Sequence, residues 1–439
     1  MASRISRRRF IQTTAGAAGA AAFAHTDWLL SAQRAALPIP QNSGIDHVVV
    51  VMMENRSFDH MMGWVPGADG VQAGLTYTDK FGVQHSTRHA PLLDPADPSS
   101  RDFQGCGHAD PDHSYEGGRI QFNGGACDGW LLTGVNAENS VTDDYPIWYY
   151  TDADLQFFAG ATRDWTVCDQ YFSSMMGPTF PNRFYSHCAQ TDRIVNSFEL
   201  STLPTIWDRL MERKIDAAYY FSDVPFIAFW GRKYRSITHH ISRFFEDCRR
   251  GKLPAVSYVE PRFIGEEQGL SSDDHPHADL RNGQAFQYAI YDAVVNSKAW
   301  RNTMIVFQYD EWGGFFDHVP PTTAPTSEID RAAGNLDGLR GFRVPALIVA
   351  PFARRGYVDH TVFDHTSVLR FIEWRWKLDP LTERDATAAN LADLLDFSNR
   401  NLTAPAYTVN RVPHLTRCDA EPDKWNTMRN IAALYGFFD

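Results

Sequence analysis

Two pairs of polar residues in this chain directly follow runs of apolar residues. Glu54 and Asn55 follow a run at residues 46–53, and Asp310 and Glu311 end another run. If these side chains converge, three carboxylates and an amide oxygen form a site that suits Ca²⁺, Mg²⁺ or Mn²⁺ better than Zn²⁺. Repulsion between the acids would then require a cation or an arginine nearby.

Each pair also has an ordinary structural interpretation. Asn55 or Ser57 could cap the start of a helix, and the two acids at residues 310–311 could form a solvated turn. Gly313 and Gly314, which follow, would let the backbone approach a ligand closely. Taken one pair at a time, the structural and chemical interpretations have equal weight.

A threonine between two prolines is the candidate nucleophile. Thr179 lies between Pro178 and Pro181, so its position is restricted. Near a cation its hydroxyl could ionise and attack phosphorus. The planar guanidinium of Arg183 matches phosphate oxygens. The alternative is a proline-rich turn without a chemical role.

Histidines near acids are candidates for proton transfer. The segment at residues 272–279 holds His275, His277 and three aspartates, which favours a second metal or a general acid. The alternative is a solvated acidic loop. His113 and His365 are further candidates, although the segment around His365 could simply cap the helix that follows.

The elements that must position these residues follow from the apolar pattern. Nearly continuous apolar runs predict strands buried on both faces of a parallel sheet, at residues 46–53, 255–259, 304–309 and 345–350. Amphipathic patterns predict helices at residues 204–214, 283–296 and 366–377. This alternation predicts an α/β sandwich with a mostly parallel central sheet and helices on both faces. Residues 64–150, rich in Gly, Asp, Pro and His, predict a loop-rich insertion over the sheet edge.

Taken in order, four segments resemble the bacterial and plant phosphoesterase family that contains non-specific phospholipases C and some acid phosphatases. They are Glu54-Asn55-Arg56-Ser57-Phe58-Asp59, Gly177-Pro178-Thr179-Phe180-Pro181-Asn182-Arg183, Asp274-His275-Pro276-His277-Ala278-Asp279 and residues 309–321. Each segment alone is weak evidence, but the ordered set is specific. The resemblance extends from Ile45 to Trp376.

The resemblance implies an alkaline-phosphatase-like fold and a set of roles. It implies a metal and phosphate cradle formed by Glu54, Asn55, Asp310 and Glu311. Thr179 matches the nucleophile position. Histidines that contact phosphate or protonate the leaving group would be His113, His275 and His277. Only 63 residues follow Trp376, whereas large two-part bacterial phospholipases C add C-terminal β domains, which argues against membrane or haemolytic targeting of that kind.

The resemblance also implies hydrolysis of phospholipids in the manner of a phospholipase C, with phosphatidylcholine cleaved to diacylglycerol and phosphocholine. Thr179 would attack phosphorus, His275 or His277 would protonate the departing diacylglycerol oxygen, and water would hydrolyse the phosphothreonine. The cation and Arg183 would stabilise the phosphoryl oxygens, and His365 is a further candidate phosphate ligand. The alternatives are a broad-specificity acid phosphatase for soluble phosphomonoesters and a non-catalytic phospholipid-binding protein. The intact Thr179 and its acids argue against the non-catalytic alternative.

Clusters of large apolar residues bear on the choice between lipid and soluble substrates. They are Trp148-Tyr149-Tyr150, Phe157-Phe158 and Met175-Met176. Their abundance favours an apolar groove for acyl chains, and the alternative is that they belong to the hydrophobic core.

The N-terminus resembles a twin-arginine export signal. A basic region with Arg8 and Arg9 precedes an Ala/Gly-rich stretch that ends in Ala22-Phe23-Ala24, which predicts a signal over residues 1–24. A linker over residues 25–44 and one phosphoesterase catalytic domain over residues 45–439 follow. The predicted location is periplasmic or secreted, and the alternative is a cytoplasmic protein with an Ala-rich first helix. No other stretch reaches about 18 apolar residues, so no transmembrane span is expected.

Charge and cysteine content limit the partners and the compartment. The net charge is −12, and the first 24 residues hold four arginines and no acid. Nucleic acid and anionic membranes are therefore disfavoured as partners, whereas zwitterionic lipid is not. The six cysteines include no CxxC pair, and they suit disulfides in an oxidising compartment. Cys106–Cys127 is the expected pair.

Overall fold

The structure is a computed structural model that describes residues 37–92, 102–418 and 424–438. The predicted export signal and most of the predicted linker lie outside the described residues.

The strands are β1 His47–Met53, β2 Thr76–Thr78, β3 Gln84–Ser86, β4 Arg88–His89, β5 Trp148–Tyr149, β6 Thr166–Cys168, β7 Tyr171–Phe172, β8 Ala217–Phe221, β9 Thr238–His240, β10 Val256–Val259, β11 Thr303–Tyr309, β12 Ala346–Val349, β13 Tyr357–Asp359 and β14 Phe363–Asp364.

The α-helices of the described residues are mostly short. They are α1 Phe58–Met62, α2 Tyr115–Phe122, α3 Val135–Glu138, α4 Gln156–Asp164, α5 Thr179–Cys188, α6 Ile206–Glu212, α7 Ile241–Arg250, α8 Leu280–Val295, α9 Glu328–Ala333, α10 His365–Trp376, α11 Glu383–Thr387 and α12 Trp425–Leu434. The three helices predicted from amphipathic patterns are α6, α8 and α10, with bounds that differ by up to three residues.

Eight strands form the central sheet in the order β13-β6-β12-β11-β1-β10-β8-β9. The β1 strand lies in the interior and pairs in parallel with β10 and β11. Its residues are almost entirely buried because apolar layers cover both faces. This confirms the predicted α/β class with a mostly parallel sheet.

The β12 strand is the exception to the parallel arrangement. It runs antiparallel to both of its neighbours, β11 and β6. The prediction of a parallel strand at residues 345–350 was therefore wrong. The reason is the connection after β11, which contains only the short helix α9. It brings the chain back at the end of the sheet where β11 ends, so β12 runs in the opposite direction; a parallel strand would need a crossover to the other end.

Two groups of helices pack against the sheet. The α4 and α7 helices both contact α8, and α8 contacts β11. A second group forms around α10, which contacts α5 and α11, while α5 also contacts α6. With the strands buried on both faces, the two groups account for the predicted helical layers.

The predicted insertion at residues 64–150 contains more regular structure than expected. It includes β2–β5, α2 and α3. Its Trp130 side chain packs with Trp312 and Phe342 in a second apolar cluster. The insertion is thereby fixed against the segment after β11, which brings His113 to the end of the sheet.

The disulfide and the large apolar clusters correct two expectations. Cys106 pairs with Cys418, 312 residues away, with a Cα–Cα distance of 5.2 Å, so the predicted Cys106–Cys127 pair was wrong. Cys127 is instead buried as a free thiol. Six of the seven residues considered for a lipid groove are core residues, with Trp148, Tyr150, Phe157, Phe158, Met175 and Met176 at most 1% exposed, and Tyr149 is half-buried. Among the described helices, none combines the length and the hydropathy needed to cross a membrane.

Candidate active site

The two predicted acid pairs meet at the carboxyl ends of adjacent strands. The parallel register places Met53 beside Tyr309, so the next residues of both strands are neighbours. The backbone N–H of Asp310 donates to the carbonyl of Met53 at 3.0 Å. The Asp310 carboxylate accepts from the backbone N–H of Asn55 at 3.1 Å and from that of Glu311 at 2.7 Å. All four residues are buried, so the alternative of a solvated acidic turn is wrong.

The glycines after the second pair allow a close backbone contact. Gly313 has a φ of +64°, and a Cβ atom there would lie 2.1 Å from the carbonyl oxygen of Asn55. A Cβ atom on Gly314 would lie 2.7 Å from the carbonyl oxygen of Asp112. The close approach predicted for these glycines is therefore to the chain's own backbone.

Arg183 lies inside the acid cluster. Its nitrogens contact the carboxylates of Glu260 at 2.6 Å, Asp310 at 3.1 Å and Glu54 at 3.2 Å. The guanidinium is fully buried and supplies the charge compensation that adjacent acids need. Each of its three nitrogens already faces a carboxylate of the described structure. Its predicted role as a phosphate ligand stays a prediction.

Thr179 is the first residue of α5, and its side chain is fully buried. Its hydroxyl lies 3.5 Å from the side-chain oxygen of Asn55. The partial positive charge at a helix N-terminus favours anions, including an ionised hydroxyl or a phosphoryl group. The backbone N–H of Phe180 is already bonded to Asn196 at 2.8 Å, which fixes this first turn.

His113 and His275 face the same space, with ring centroids 6.4 Å apart. The Nε2 atom of His113 lies 3.4 Å from the Asn55 amide nitrogen and 3.8 Å from a Glu311 oxygen. The Nδ1 atom of His113 bonds the carbonyl of Pro111 at 2.8 Å. His275 is buried, which lowers the pKa of its ring, so the alternative of a solvated loop is wrong for this residue.

The other two predicted histidines have different surroundings. His277 bonds the carbonyl of His108 at 2.9 Å, and its Nδ1 atom lies 3.6 Å from Glu267. His365 is buried, with its Nε2 bonded to the carbonyl of Tyr309 at 2.8 Å and its Nδ1 to the Ser174 hydroxyl at 3.0 Å. His365 therefore supports the strand end that carries Asp310, and its role as a phosphate ligand stays a prediction.

Two capping interpretations hold alongside the chemical ones. Ser57 caps α1, since its hydroxyl accepts from the backbone N–H of His60. Asp364 caps α10 in the same way through Thr366. Asn55 caps no helix, and its φ of +57° places it in the left-handed region that asparagine tolerates better than most residues.

The donor set fits a divalent cation. Both carboxylate oxygens of Glu54 and one of Glu311 are buried and accept no hydrogen bond from the described residues. Burial and the nearby Asp310 raise the pKa of both Glu54 and Glu311 well above the usual value. A cation beside these oxygens would replace the missing hydrogen bonds and would favour the charged form of both carboxyl groups. Glu54, Asn55, Asp310 and Glu311 are therefore suited to hold one.

The site contains residues that the sequence analysis missed. Glu260 directly follows β10, as Glu54 and Asp310 follow their strands, so the same strand-end rule would have found it. Glu266 and Lys424 lie beside His275. No periodic pattern marks either residue, and only the folded chain brings them to the site.

Solvent reaches the site from the side of the insertion. The side chain of His113 is 12% exposed and that of Asp110 is 28% exposed, whereas Thr179 and the strand-end acids are fully buried. The side of the site formed by residues 110–113 is therefore the side nearest to solvent. This arrangement can place a phosphorus atom between a nucleophile and a histidine.

Known proteins with similar sequences agree with the resemblance. The sequence profile of the Phosphoesterase family matches residues 45–379. Non-specific phospholipase C6 of Arabidopsis thaliana is 29% identical over 401 residues, covering 83% of this chain and 74% of that protein. Phospholipase C B of Mycobacterium tuberculosis is 29% identical over 500 residues, covering 94% and 91%.

A solved structure, the phosphonate monoester hydrolase of Agrobacterium radiobacter, matches 80% of this chain and 77% of its own with a TM-score of 0.37 and 10% identity. The family assignment rests on the sequence profile, which spans most of the chain. The chain therefore belongs to the Phosphoesterase family, and it is a hydrolase that acts on phosphoric ester bonds.

Proposed function

We propose that this protein is a phospholipase C that converts phosphatidylcholine to diacylglycerol and phosphocholine through a phosphothreonine at Thr179. The observation that carries the proposal is the position of the Thr179 hydroxyl. It lies at the N-terminus of α5 and 3.5 Å from Asn55, beside the acids at the ends of β1 and β11. The names of the curated relatives support the phospholipase C reaction.

Different residues of the chain have separate roles in phosphoryl transfer. The Thr179 hydroxyl loses its proton to solvent as its oxygen forms a bond to phosphorus and the bond to the diacylglycerol oxygen breaks. The N-terminus of α5 stabilises the negative charge on the phosphoryl group. We assign protonation of the leaving oxygen to His113, because its Nε2 atom faces Asn55 at 3.4 Å and its side chain is partly exposed. Water then attacks phosphorus and gives a proton to His113, and the released Thr179 oxygen regains a proton from solvent.

A divalent cation held by Glu54, Asn55, Asp310 and Glu311 would supply Lewis-acid polarisation of the phosphoryl oxygens. The oxygen-only donor set favours Ca²⁺, Mg²⁺ or Mn²⁺ over Zn²⁺. Arg183 contributes by holding Glu54 and Asp310 in place at 3.2 and 3.1 Å.

Exposed apolar side chains near the site favour a lipid substrate over a soluble phosphomonoester. Ile120, Val195 and Leu336, here called the apolar rim, are exposed. Ile120 lies on α2, seven residues after His113, and Val195 precedes Asn196, which bonds the first turn of α5. Residue 337, next to Leu336, is tied to α2 by an ion pair of 2.7 Å between Asp337 and Arg119. The rim would contact acyl chains while the headgroup enters the site.

The purified protein should hydrolyse phosphatidylcholine vesicles with a higher kcat/KM than soluble p-nitrophenyl phosphate. The physical reason is that the apolar rim gains contact with lipid and gains nothing from a small monoester. Release of diacylglycerol measures the first reaction, and release of p-nitrophenol measures the second. Cleavage of the monoester alone would instead establish an acid phosphatase, and binding of vesicles without any cleavage would establish a lipid-binding protein.

The apolar rim offers an internal control for this comparison. Val195→Ser with Leu336→Ser should lower vesicle hydrolysis about 30-fold, since each of the two exposed side chains contributes about 1 kcal/mol when it is buried in lipid. Hydrolysis of p-nitrophenyl phosphate should not change. Val141→Ser with Leu402→Ser, at exposed apolar positions outside the rim, should change neither rate.

Removal of the divalent cation should abolish most of the activity. After treatment with a chelator and dialysis, kcat should fall by about 10²-fold or more, because Lewis-acid stabilisation contributes several kcal/mol. Added Ca²⁺, Mg²⁺ or Mn²⁺ should restore activity better than Zn²⁺. Glu311→Gln should weaken cation binding, whereas Glu116→Gln, at an exposed position on α2, should not. Full activity in protein shown to be metal-free would rule out this role.

We also propose that the protein is exported by the twin-arginine route and acts in the periplasm or outside the cell. The arginine pair in the first 24 residues and the Cys106–Cys418 disulfide support this location, since disulfides persist in oxidising compartments.

A further inference from the structure

The segment around Lys424 reaches the candidate active site from outside the region that defines the family. The family profile ends at residue 379, and Lys424 lies 45 residues further along the chain. No family motif therefore assigns it a role. Its ammonium nevertheless lies 3.1 Å from a Glu266 oxygen and 3.4 Å from the Nε2 atom of His275.

Three anchors hold this segment against the catalytic core. The Cys106–Cys418 disulfide attaches the chain to the insertion six residues before Lys424. The indole N–H of Trp425 donates to Glu266 at 2.6 Å, and the Trp425 ring stacks on Phe263 with centroids 4.2 Å apart. The Lys424 side chain is only 22% exposed, so its ammonium has little freedom to leave.

Lys424 lies beside a group of side chains that could bind a metal ion. Ligand atoms of Glu54, Glu266 and His275 all lie within 4.8 Å of one another. Two carboxylates and an imidazole in this arrangement could bind a divalent ion next to the first. Lys424 directly contacts two of the three residues, so its charge already lies where such an ion would lie.

The charge balance favours a permanent ammonium at this position. Burial alone would lower the pKa of Lys424, but the carboxylates of Glu266, Glu54 and Asp110 raise it above its ordinary value. The ammonium is therefore charged at neutral pH. It offsets the charge of Glu266, which Arg183 does not contact in the described structure, and it donates to the ring of His275.

We propose that Lys424 is a positioning residue that takes the place of a second divalent cation among Glu54, Glu266 and His275, and that the Cys106–Cys418 disulfide holds it there. The protein then needs one divalent cation, at Glu54, Asn55, Asp310 and Glu311. The effect expected of Lys424 variants on kcat rests on the proposed function. Their effect on the number of bound metal ions does not depend on the substrate.

The test measures the number of Mn²⁺ ions bound per chain by equilibrium dialysis, with the full-length mature protein. The wild type should bind about one ion tightly, and Lys424→Met should bind about two, because the ammonium no longer lies among Glu54, Glu266 and His275. Lys424→Arg should restore the wild-type number, since it keeps the charge. Arg429→Met removes an exposed cation one turn later on α12 and should leave the number unchanged.

Kinetics and the disulfide give the second readout. Lys424→Met should lower kcat by about tenfold or more without a matching rise in KM, because a fixed charge beside the reacting group is lost. If Lys424→Met fails to fold, Lys424→Gln replaces it. The double variant Cys106→Ser/Cys418→Ser should also bind more Mn²⁺ than the wild type.

The metal counts decide the proposal whether or not phosphatidylcholine is the substrate. One ion in both the wild type and Lys424→Met would show that Lys424 does not take the place of a second cation. Two ions in the wild type would show this as well. A wild-type metal count in the double cysteine variant would overturn the role of the disulfide.

Discussion

Thr179→Ala should lower kcat/KM for phosphatidylcholine by about 10³- to 10⁶-fold, the range seen when a covalent nucleophile is removed from a hydrolase. The hydroxyl at the start of α5 is the one beside Asn55, at 3.5 Å. Without it, no phosphothreonine can form. Steady-state diacylglycerol release, measured with vesicles, gives the rate.

Two further variants separate the nucleophile from the packing of the helix start. Thr179→Val keeps the shape of the buried side chain and should be as inactive as Thr179→Ala. Thr179→Ser keeps the hydroxyl and should retain measurable activity. A phosphorylated peptide containing residue 179 should be recoverable from acid-quenched wild type by mass spectrometry. Retention of full activity in Thr179→Val would show that another group attacks phosphorus.

Arg183→Met should destabilise the fold by about 3–5 kcal/mol, the cost of leaving buried charges without their partner. The guanidinium contacts Glu54, Glu260 and Asp310, and all four side chains are at most 3% exposed. Its removal leaves three carboxylates close together in a poorly solvated space. The free energy of unfolding, measured by denaturant titration, reports the loss.

A surface ion pair supplies the matched control. Arg163→Met removes the 3.0 Å contact with Asp152, where the arginine side chain is 68% exposed, and should cost less than about 1 kcal/mol. Divalent cation should stabilise Arg183→Met more than the wild type, because the unpaired carboxylates then bind it more tightly. Equal stability of Arg183→Met and Arg163→Met would contradict the assignment of Arg183 as the charge partner.

The strand-end residues of the site could be found in the sequence because their signal is local. An apolar run that ends in a carboxylate is visible within a few residues, and parallel neighbours bring such ends to one edge. The runs before Glu54 and Asp310 identified both pairs. The same rule, applied to residues 255–259, would also have identified Glu260.

Other features depend on contacts between distant segments, which no local pattern encodes. The direction of β12 follows from the path of the connection before it, and the partner of Cys106 lies 312 residues away. The aromatic residues near Trp148 and Phe157 could equally have formed a groove or a core, because composition does not specify which surface a side chain meets. Their burial was decided by packing.

The sequence by itself determined the α/β class, the Phosphoesterase family and the strand-end acids with Thr179 as the candidate nucleophile. These follow from short-range periodicity and from ordered motifs that one reads along the chain. Only the tertiary structure decided that Arg183 contacts Glu54 and Asp310, that the His113 side chain is partly exposed whereas His365 is buried, and that Lys424 reaches His275. The reason is that charge compensation in a buried site depends on distances through space, and folding sets those distances among residues hundreds of positions apart.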